Sequence, residues 1–407
     1  MKKTRLRLFV LVVAAFSLVA AACSSSGGGA ALKIGTDLPQ TGDLAVLGPP
    51  MIEAVNMAVR DINDAGGVNG KDVELVIGDS GTNEQVAAET ADRLISSDQV
   101  DGIIGPASSR ITLSVIDKIT GAGIPMCSPS NTGSSLSTYE SAVPGFYFRT
   151  APPDNLQGPA LANVILGDGK TNVAVVALDD EYGQGFAHFL EDALTAGGAT
   201  IAADVPYDPN GTDFSADVQQ VVDAAPDAVV LISFPDTGTR IITGLIENGI
   251  SPDMMYTADG MQSADVISLV NPDDPSALNG MKGTAPSSQG TQAFTEEFAA
   301  FAPGVATIFS AHAYDCAIIE ALAAESAKSS DPADIAANMV GVTRDGNKCT
   351  TYADCKALLD DGEDIDYDGA SGPGDWTPAG EPSAGTYDVW EFMDGEVVTL
   401  NTVSVGS

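Results

Sequence analysis

Apolar residues recur along the chain in two rhythms, short unbroken runs and longer stretches spaced by three and four, with polar turns between them. The first run, Leu32–Leu38, predicts a strand that ends at a turn containing Gly and Pro. A helix from about Pro49 to Asp64 follows, with Ile52, Val55, Val59 and Ile62 on one face and Gly66-Gly67 as its stop. Val73–Gly78 reads as a strand, and Glu84–Ser97 as a helix with Val86, Leu94 and Ile95 inward. Val100–Gly105 reads as a strand, about Ser109–Thr120 as a helix, and Met126–Ser128 as the next strand. Phe146–Thr150 is extended and runs into Ala-Pro-Pro, a break with no partner helix. Strands alternating with helices at this spacing predict βαβ units and a parallel sheet.

After the break the alternation restarts. Helices are predicted at Asn155–Leu166, Gly183–Ala196, Asp213–Ala224 and Thr237–Asn248, and strands at Val173–Leu178, Ile201–Val205, Ala228–Ser233 and Met254–Thr257. This is a second doubly wound lobe. Met281–Pro286 crosses back to helices at Gln292–Phe301 and Ser310–Ala327, the latter with Tyr314, Ile318, Ile319 and Leu322 on one stripe. Tyr387–Val398 reads as a hairpin with Asp394-Gly395 at its turn. Residues 32–407 are too many for one core, and none of their apolar runs is long and uncharged enough to span a bilayer.

The N-terminus has a different pattern. Lys2, Lys3, Arg5 and Arg7 precede an apolar core from Leu8 to Val19, and Ala20-Ala21-Ala22 lead into Cys23. Residues 1–22 therefore read as a signal peptide. Small residues before a Cys resemble the lipobox of bacterial lipoproteins, which makes Cys23 the lipidation site, although Ala20 stands where Leu is commonest. An ordinary secretory cleavage is the alternative. Residues 23–31 have no packing side chains and form a tether spanning roughly 15 Å.

Charge narrows the function. The signal segment carries four of the 18 basic residues and none of the 56 acidic ones, leaving the mature chain at −42. Clustered Lys and Arg are what nucleic acid requires, so it is excluded as a partner. The acidic excess reads as a solubilising surface. Cys127, Cys316, Cys349 and Cys355 remain after Cys23. Cys349 and Cys355 bracket a short polar loop and are expected to form a disulfide; Cys127 and Cys316 are then either the second pair or two buried free thiols.

Catalytic chemistry is sparse. Gly66–Val73 contains Gly-Lys, but Asp72 follows where a phosphate loop needs Ser or Thr. No GxSxG-like segment sits between a strand and a helix. Asp360–Asp368 is acidic but lacks calcium-loop spacing, and the two histidines, His188 and His312, read as a surface residue and a packed one. No metal, no cofactor and no enzymatic function are expected.

Binding chemistry is better supplied. Ser108 and Ser109 follow one strand, and Ser128, Ser130, Asn131 and Thr132 follow the next. Ligands in open α/β sheets sit beyond the carboxyl ends of the strands, and helix starts favour anions. Hydroxyls with no Lys, His or Cys beside Ser109 suit holding a carboxylate, not reacting with it. Helix capping is the bland alternative for these hydroxyls.

The mature chain resembles the type I periplasmic binding proteins, in particular the Leu/Ile/Val-binding branch that serves ABC importers. The resemblance is carried by LKIGTDLPQTGDLAVLG (32–48), AVRDINDAGGVNGKDVELVIGDS (58–80), IIGPASS (103–109) and GIPMCSPSNT (123–132), then FYFRTAPPDNLQG (146–158) and DDEYGQGFA (179–187). It implies two doubly wound parallel-sheet lobes joined by three crossovers, lobe I being 32–150 with 284–385 and lobe II 151–283 with 386–407. It also implies that Ser109, or Ser108 with a one-residue gap, meets a ligand carboxylate, with Ser130, Asn131 and Thr132 beside it. Tyr182 and Phe234 would face the ligand from lobe II, and Asp259 of TADG would take an ammonium. Leu47 departs from the aromatic common in amino-acid binders, and Asp259 could be only a turn residue.

The function so implied is an extracytoplasmic, lipid-anchored, monomeric solute-binding protein that delivers a branched-chain or related amino acid to an ABC permease. A binder of urea or short amides and a ligand sensor are the alternatives.

Overall fold

The computed structural model describes residues 31–141, 143–287 and 290–406, so the expected signal peptide, Cys23 and most of the tether lie outside the described residues. The first half-lobe runs β1 (Lys33–Thr36), α1 (Gly48–Asp64), β2 (Glu74–Val76), α2 (Glu84–Arg93), β3 (Gly102–Ile104), α3 (Ser109–Gly121), β4 (Met126–Ser128) and β5 (Tyr147–Arg149). Its five strands are parallel in the order β2-β1-β3-β4-β5. The strands are short because each ends at a Gly, Pro or Ser turn on the ligand-facing rim. Gly105 shows why one such turn needs glycine: its φ is 114° and a Cβ there would lie 2.6 Å from the Asp37 carbonyl oxygen.

The chain then builds α4 (Asp154–Gly167), β6 (Asn172–Leu178), α5 (Glu181–Ala196), β7 (Thr200–Tyr207), α6 (Ser215–Ala224), β8 (Ala228–Ile232), α7 (Pro235–Glu247), β9 (Met255–Thr257), α8 (Asp265–Val270) and β10 (Lys282–Pro286). Strands β6 (NVAVVAL) and β8 (AVVLI) are buried almost throughout, as apolar runs covered by helices on both faces must be. Each fully buried Val, Leu or Ile contributes about 1.5–3 kcal/mol.

The rest of the chain adds α9 (Gln292–Phe301), α10 (Ser310–Ala327), α11 (Pro332–Asn338), β11 (Asn347–Cys349), α12 (Tyr352–Asp360), β12 (Ile365–Gly369), β13 (Gly372–Pro373), β14 (Gly385–Met393) and β15 (Glu396–Val405). Helix α10 packs on α1 and against β3 and β4. It is buried on nearly every side, so the single stripe expected from Tyr314, Ile318, Ile319 and Leu322 understates it. The β14–β15 hairpin turns at Asp394-Gly395, both with positive φ, and completes the second sheet in the order β15-β14-β10-β9-β8-β6-β7. The fold is thus two α/β lobes with parallel sheets, the second edged by an antiparallel hairpin.

Three local differences from the sequence reading have physical causes. Val86 is exposed, because Ala87, Thr90 and Ala91 form the buried face of α2, and the helix gives way at Leu94 to one wider turn that leaves Ile95 half-buried. Much of Asp360–Asp368 is strand rather than loop, with Asp366 and Asp368 both paired to Lys348 at 2.8 and 2.9 Å. The passages between sheets fall at 150–153, after Ser287 and at 374–384. Pro286 still pairs with Tyr387, so β10 runs past the expected boundary at 283/284.

Two disulfides tie the lobe I elements. Cys349 joins Cys355 across six positions, and Cys127 on β4 joins Cys316 on α10 across 189. Closing a long loop removes more freedom from the unfolded chain than closing a short one. Replacing Cys127 and Cys316 together by Ala is expected to cost about 2–5 kcal/mol, and replacing Cys349 and Cys355 roughly half as much. Urea midpoints of the two double variants check the order.

Candidate functional site

The carboxyl ends of both sheets face a small cavity lined by residues from both lobes. Its walls include the apolar side chains Leu44, Leu47, Met51 and Phe309, and the polar residues Ser108, Ser109, Ser130 and Asp259. Tyr182 and Phe234 close it from the second lobe as a stacked pair, ring centroids 5.3 Å apart and 3° from parallel.

Ser108 occupies the N-cap position of α3, yet its hydroxyl makes no capping bond and, although buried, has no hydrogen-bond partner among the described residues. The capping explanation therefore fails for it. A buried, unpartnered hydroxyl costs free energy unless something fills its valence. Ser109 Oγ accepts from Gly133 N at 3.1 Å, and Ser130 Oγ donates to the Ala107 carbonyl at 3.1 Å. The Thr132 hydroxyl is buried beside the Asp154 carboxyl and does not line the cavity. Asn131 is different. Its amide donates to the Pro106 and Ala107 carbonyls and its oxygen accepts from Tyr147, so it fastens the two strand ends together and does not line the cavity.

Asp259 is more than a turn residue. It starts a short 3-10 turn, is buried, and its Oδ1 accepts from Gln157 Nε2 at 2.9 Å and from the Tyr182 hydroxyl at 3.4 Å. Burial pushes its carboxyl up to about 6 despite those donors. Close by lies Asp154, which the sequence reading passed over as a helix start. Its carboxyl is fully buried, and the Thr132 hydroxyl is the polar group beside it. Burial first, and the charge of Asp259 second, hold its carboxyl well above the usual range. Asp154 does not itself line the cavity, but its charge bears on that of Asp259, which does. The only sequence signal for Asp154 was an acid directly after Pro-Pro, which helix-dipole reasoning explains equally well.

Behind the rim, Arg149 of β5 is fully buried. Its Nε donates to Glu381 at 2.9 Å, and its terminal nitrogens reach Glu381, the Ser137 hydroxyl, and the carbonyls of Gly133 and Asn131. The Thr132 carbonyl in turn accepts from Asp154 N at 2.8 Å. The loop that carries Ser130 and Thr132 is thereby pinned to the passages between the lobes. His188 is exposed near Asp192. His312 is buried away from this cavity, its ring held at about pKa 4 by desolvation.

A family model described as periplasmic binding protein matches residues 31–373. Among curated proteins, the chain is 27% identical over 386 residues to the chemotactic signal transduction system substrate-binding protein BasB of Halobacterium salinarum, covering 92% of this chain and 90% of that one. It is 25% identical over 378 residues to Leu/Ile/Val-binding protein homolog 3 of Brucella melitensis, covering 91% and 94%. Among solved structures it resembles the branched-chain amino acid transporter substrate-binding protein LivJ of Streptococcus pneumoniae in complex with isoleucine. The TM-score is 0.75 at 22% identity, over 93% of this chain and all of that one.

The raised carboxyl of Asp154 has a measurable consequence. A folded-state value above the unfolded one near 3.8 means stability that is full below about pH 4 and lost as pH rises through the folded value. Asp154→Asn is therefore expected to raise the thermal midpoint of the ligand-free protein at pH 8 by about 2 °C or more. It should leave the midpoint near pH 4 unchanged; scanning calorimetry at the two pH values checks it.

Proposed function

The chain belongs to the periplasmic binding protein family, in its type I, branched-chain amino acid branch, and we propose from that premise that it is the extracytoplasmic receptor for an aliphatic α-amino acid. The observation that carries the reading is one cavity lined by serine hydroxyls, a buried carboxyl and apolar side chains. An α-amino acid is a zwitterion with an apolar remainder and needs all three. The Ser108 and Ser109 hydroxyls, with the start of α3, would take the ligand carboxylate. Asp259 would take the ammonium, which gives that buried acid a cation. Leu44, Leu47, Met51, Phe234 and Phe309 would enclose the side chain.

On this reading the two lobes close over the solute and present it to an ABC permease, the protein acting as a monomer held at the membrane by lipid on Cys23. Urea or a short amide fits the serine hydroxyls but gives the buried Asp259 carboxyl no cation, so that carboxyl favours the amino acid. Sensing is a second reading, favoured by the full-length similarity to a protein named for chemotactic signal transduction. It uses the same site and differs only in the membrane partner.

Titration calorimetry of ligand-free residues 24–407 tests the ligand. Leucine, isoleucine or valine is expected to bind at micromolar concentration or tighter. Asp259→Asn should weaken that binding by about 10- to 100-fold, the scale of a lost charged hydrogen bond. Binding of urea and amides alone, or of none of these solutes, overturns the reading. For the anchor, Cys23→Ser is expected to move the protein from the membrane to the soluble fraction, checked by immunoblotting of the two fractions.

A further inference from the structure

At the mouth of the cleft, helix α7 of the second lobe begins without a cap of its own. Phe234 stands at its N-cap, Pro235 follows at N1, and Phe234 supplies no side-chain acceptor. The first N–H groups of a helix are unsatisfied and carry partial positive charge. Here the acceptor comes from the other lobe. Asp236 N donates to Asp43 Oδ1 at 2.6 Å, and the Thr237 hydroxyl lies 3.4 Å from Asp43 Oδ2.

Asp43 sits 193 residues earlier, in the loop after β1. That loop is fixed within its own lobe by Ala45 N to the Gly42 carbonyl and Leu44 N to the Thr82 hydroxyl, both at 3.1 Å. Gly42 has φ 83° and backs onto Gly81, whose carbonyl oxygen would lie 1.9 Å from any Cβ, so no other residue fits. The loop thus presents Asp43 outward in a set direction. Among the described residues, the hydrogen bonds of its carboxylate run to α7 and not to its own lobe. The like charge of Asp236 is offset by Arg240 one turn along at 2.9 Å. A second pair spans the same mouth, with Arg110 Nε of α3 3.6 Å from Asp180 Oδ2 ahead of α5.

We propose that Asp43 is an interlobe latch whose carboxylate caps α7 only while the lobes are together, so that it raises ligand affinity without touching the ligand. The proposal rests on the reading that the lobes close over a solute. Asp43 does not line the ligand cavity, whereas Phe234 does, two residues before the N–H that Asp43 accepts. A ligand that orders Phe234 therefore also orders the end of α7 that the latch grips, and each contact favours the other. Burial at the mouth pushes the Asp43 carboxyl up to about 6, so it is ionised at pH 8, where the test is made.

Leucine is titrated at pH 8 into residues 24–407 as wild type, Asp43→Ala and Asp43→Asn. The Ala variant is expected to bind roughly tenfold more weakly, the scale of a lost N-cap, with the change in the dissociation rate. Asn caps a helix about as well as Asp and should stay within about threefold of wild type. The ligand-free thermal midpoint should not move, because the open form makes no such cap. Wild-type affinity in the Ala variant overturns the proposal, and so does a ligand-free destabilisation as large as the affinity loss. If wild type binds no amino acid, the functional reading fails by itself, and the latch is tested without ligand by trapping the closed form that the open one visits transiently. Asp43→Cys combined with Asp236→Cys, treated with a short bis-thiol-reactive linker, should give a cross-linked species absent from each single variant. No such species overturns the latch.

Discussion

A guanidinium with no access to water organises the cleft. Arg149 leaves the first sheet at the first passage between the lobes, and Glu381, on the third passage, answers its charge. Removing one partner from such a pair strands a buried charge, at a cost of about 3–5 kcal/mol. Its remaining donors go to Ser137 and to the carbonyls of Asn131 and Gly133, so the same side chain fixes the loop from which Ser130 reaches the cavity. The ligand loop and the interlobe connections therefore share one electrostatic anchor. Neither can shift without unpairing the other.

The pocket in front of that anchor is unbalanced by design of its residues. Ser108 presents a buried hydroxyl with no partner among the described residues, and Asp259 a buried acid that the charge of Asp154 opposes. Each of these groups is individually costly when buried. Together they are complementary to one molecule that carries both missing partners. The strongly acidic surface of the whole chain would not select the proposed amino acid, because a zwitterion feels little net pull from it. Selection lies in the few ångströms between the two sheet edges.

Most of the architecture is local in origin and was legible. Met126–Ser128, Gln292–Phe301 and Ser310–Ala327 follow directly from apolar spacing, and the hairpin from Asp394-Gly395. Ser108, Ser109, Tyr182, Phe234 and Asp259 were legible as candidates because they sit in short motifs at strand ends, and they meet at one cavity. Asn131 sits in the same motif but turns to the backbone, a choice set by the neighbouring carbonyls of Pro106 and Ala107 that spacing does not reveal. Asp154 and Asp43 were illegible for a different reason. Their partners lie 105 and 193 positions away, and only the assembled lobes bring them together. The Cys127–Cys316 pairing was left open for the same cause.

The nested order of the sheets has a consequence for how the chain is made. The five strands of the first sheet are complete by Arg149, yet α10, which covers β3 and β4 and bears Cys316, is some 160 residues further on. The second sheet waits longer still, since β14 and β15 end at Val405. A ribosome releasing this chain from its N-terminus thus does not finish the second sheet until Val405 has emerged. For most of synthesis both apolar faces are half-covered, so the nascent chain depends on whatever shields such surfaces, and the final fold forms as one late event.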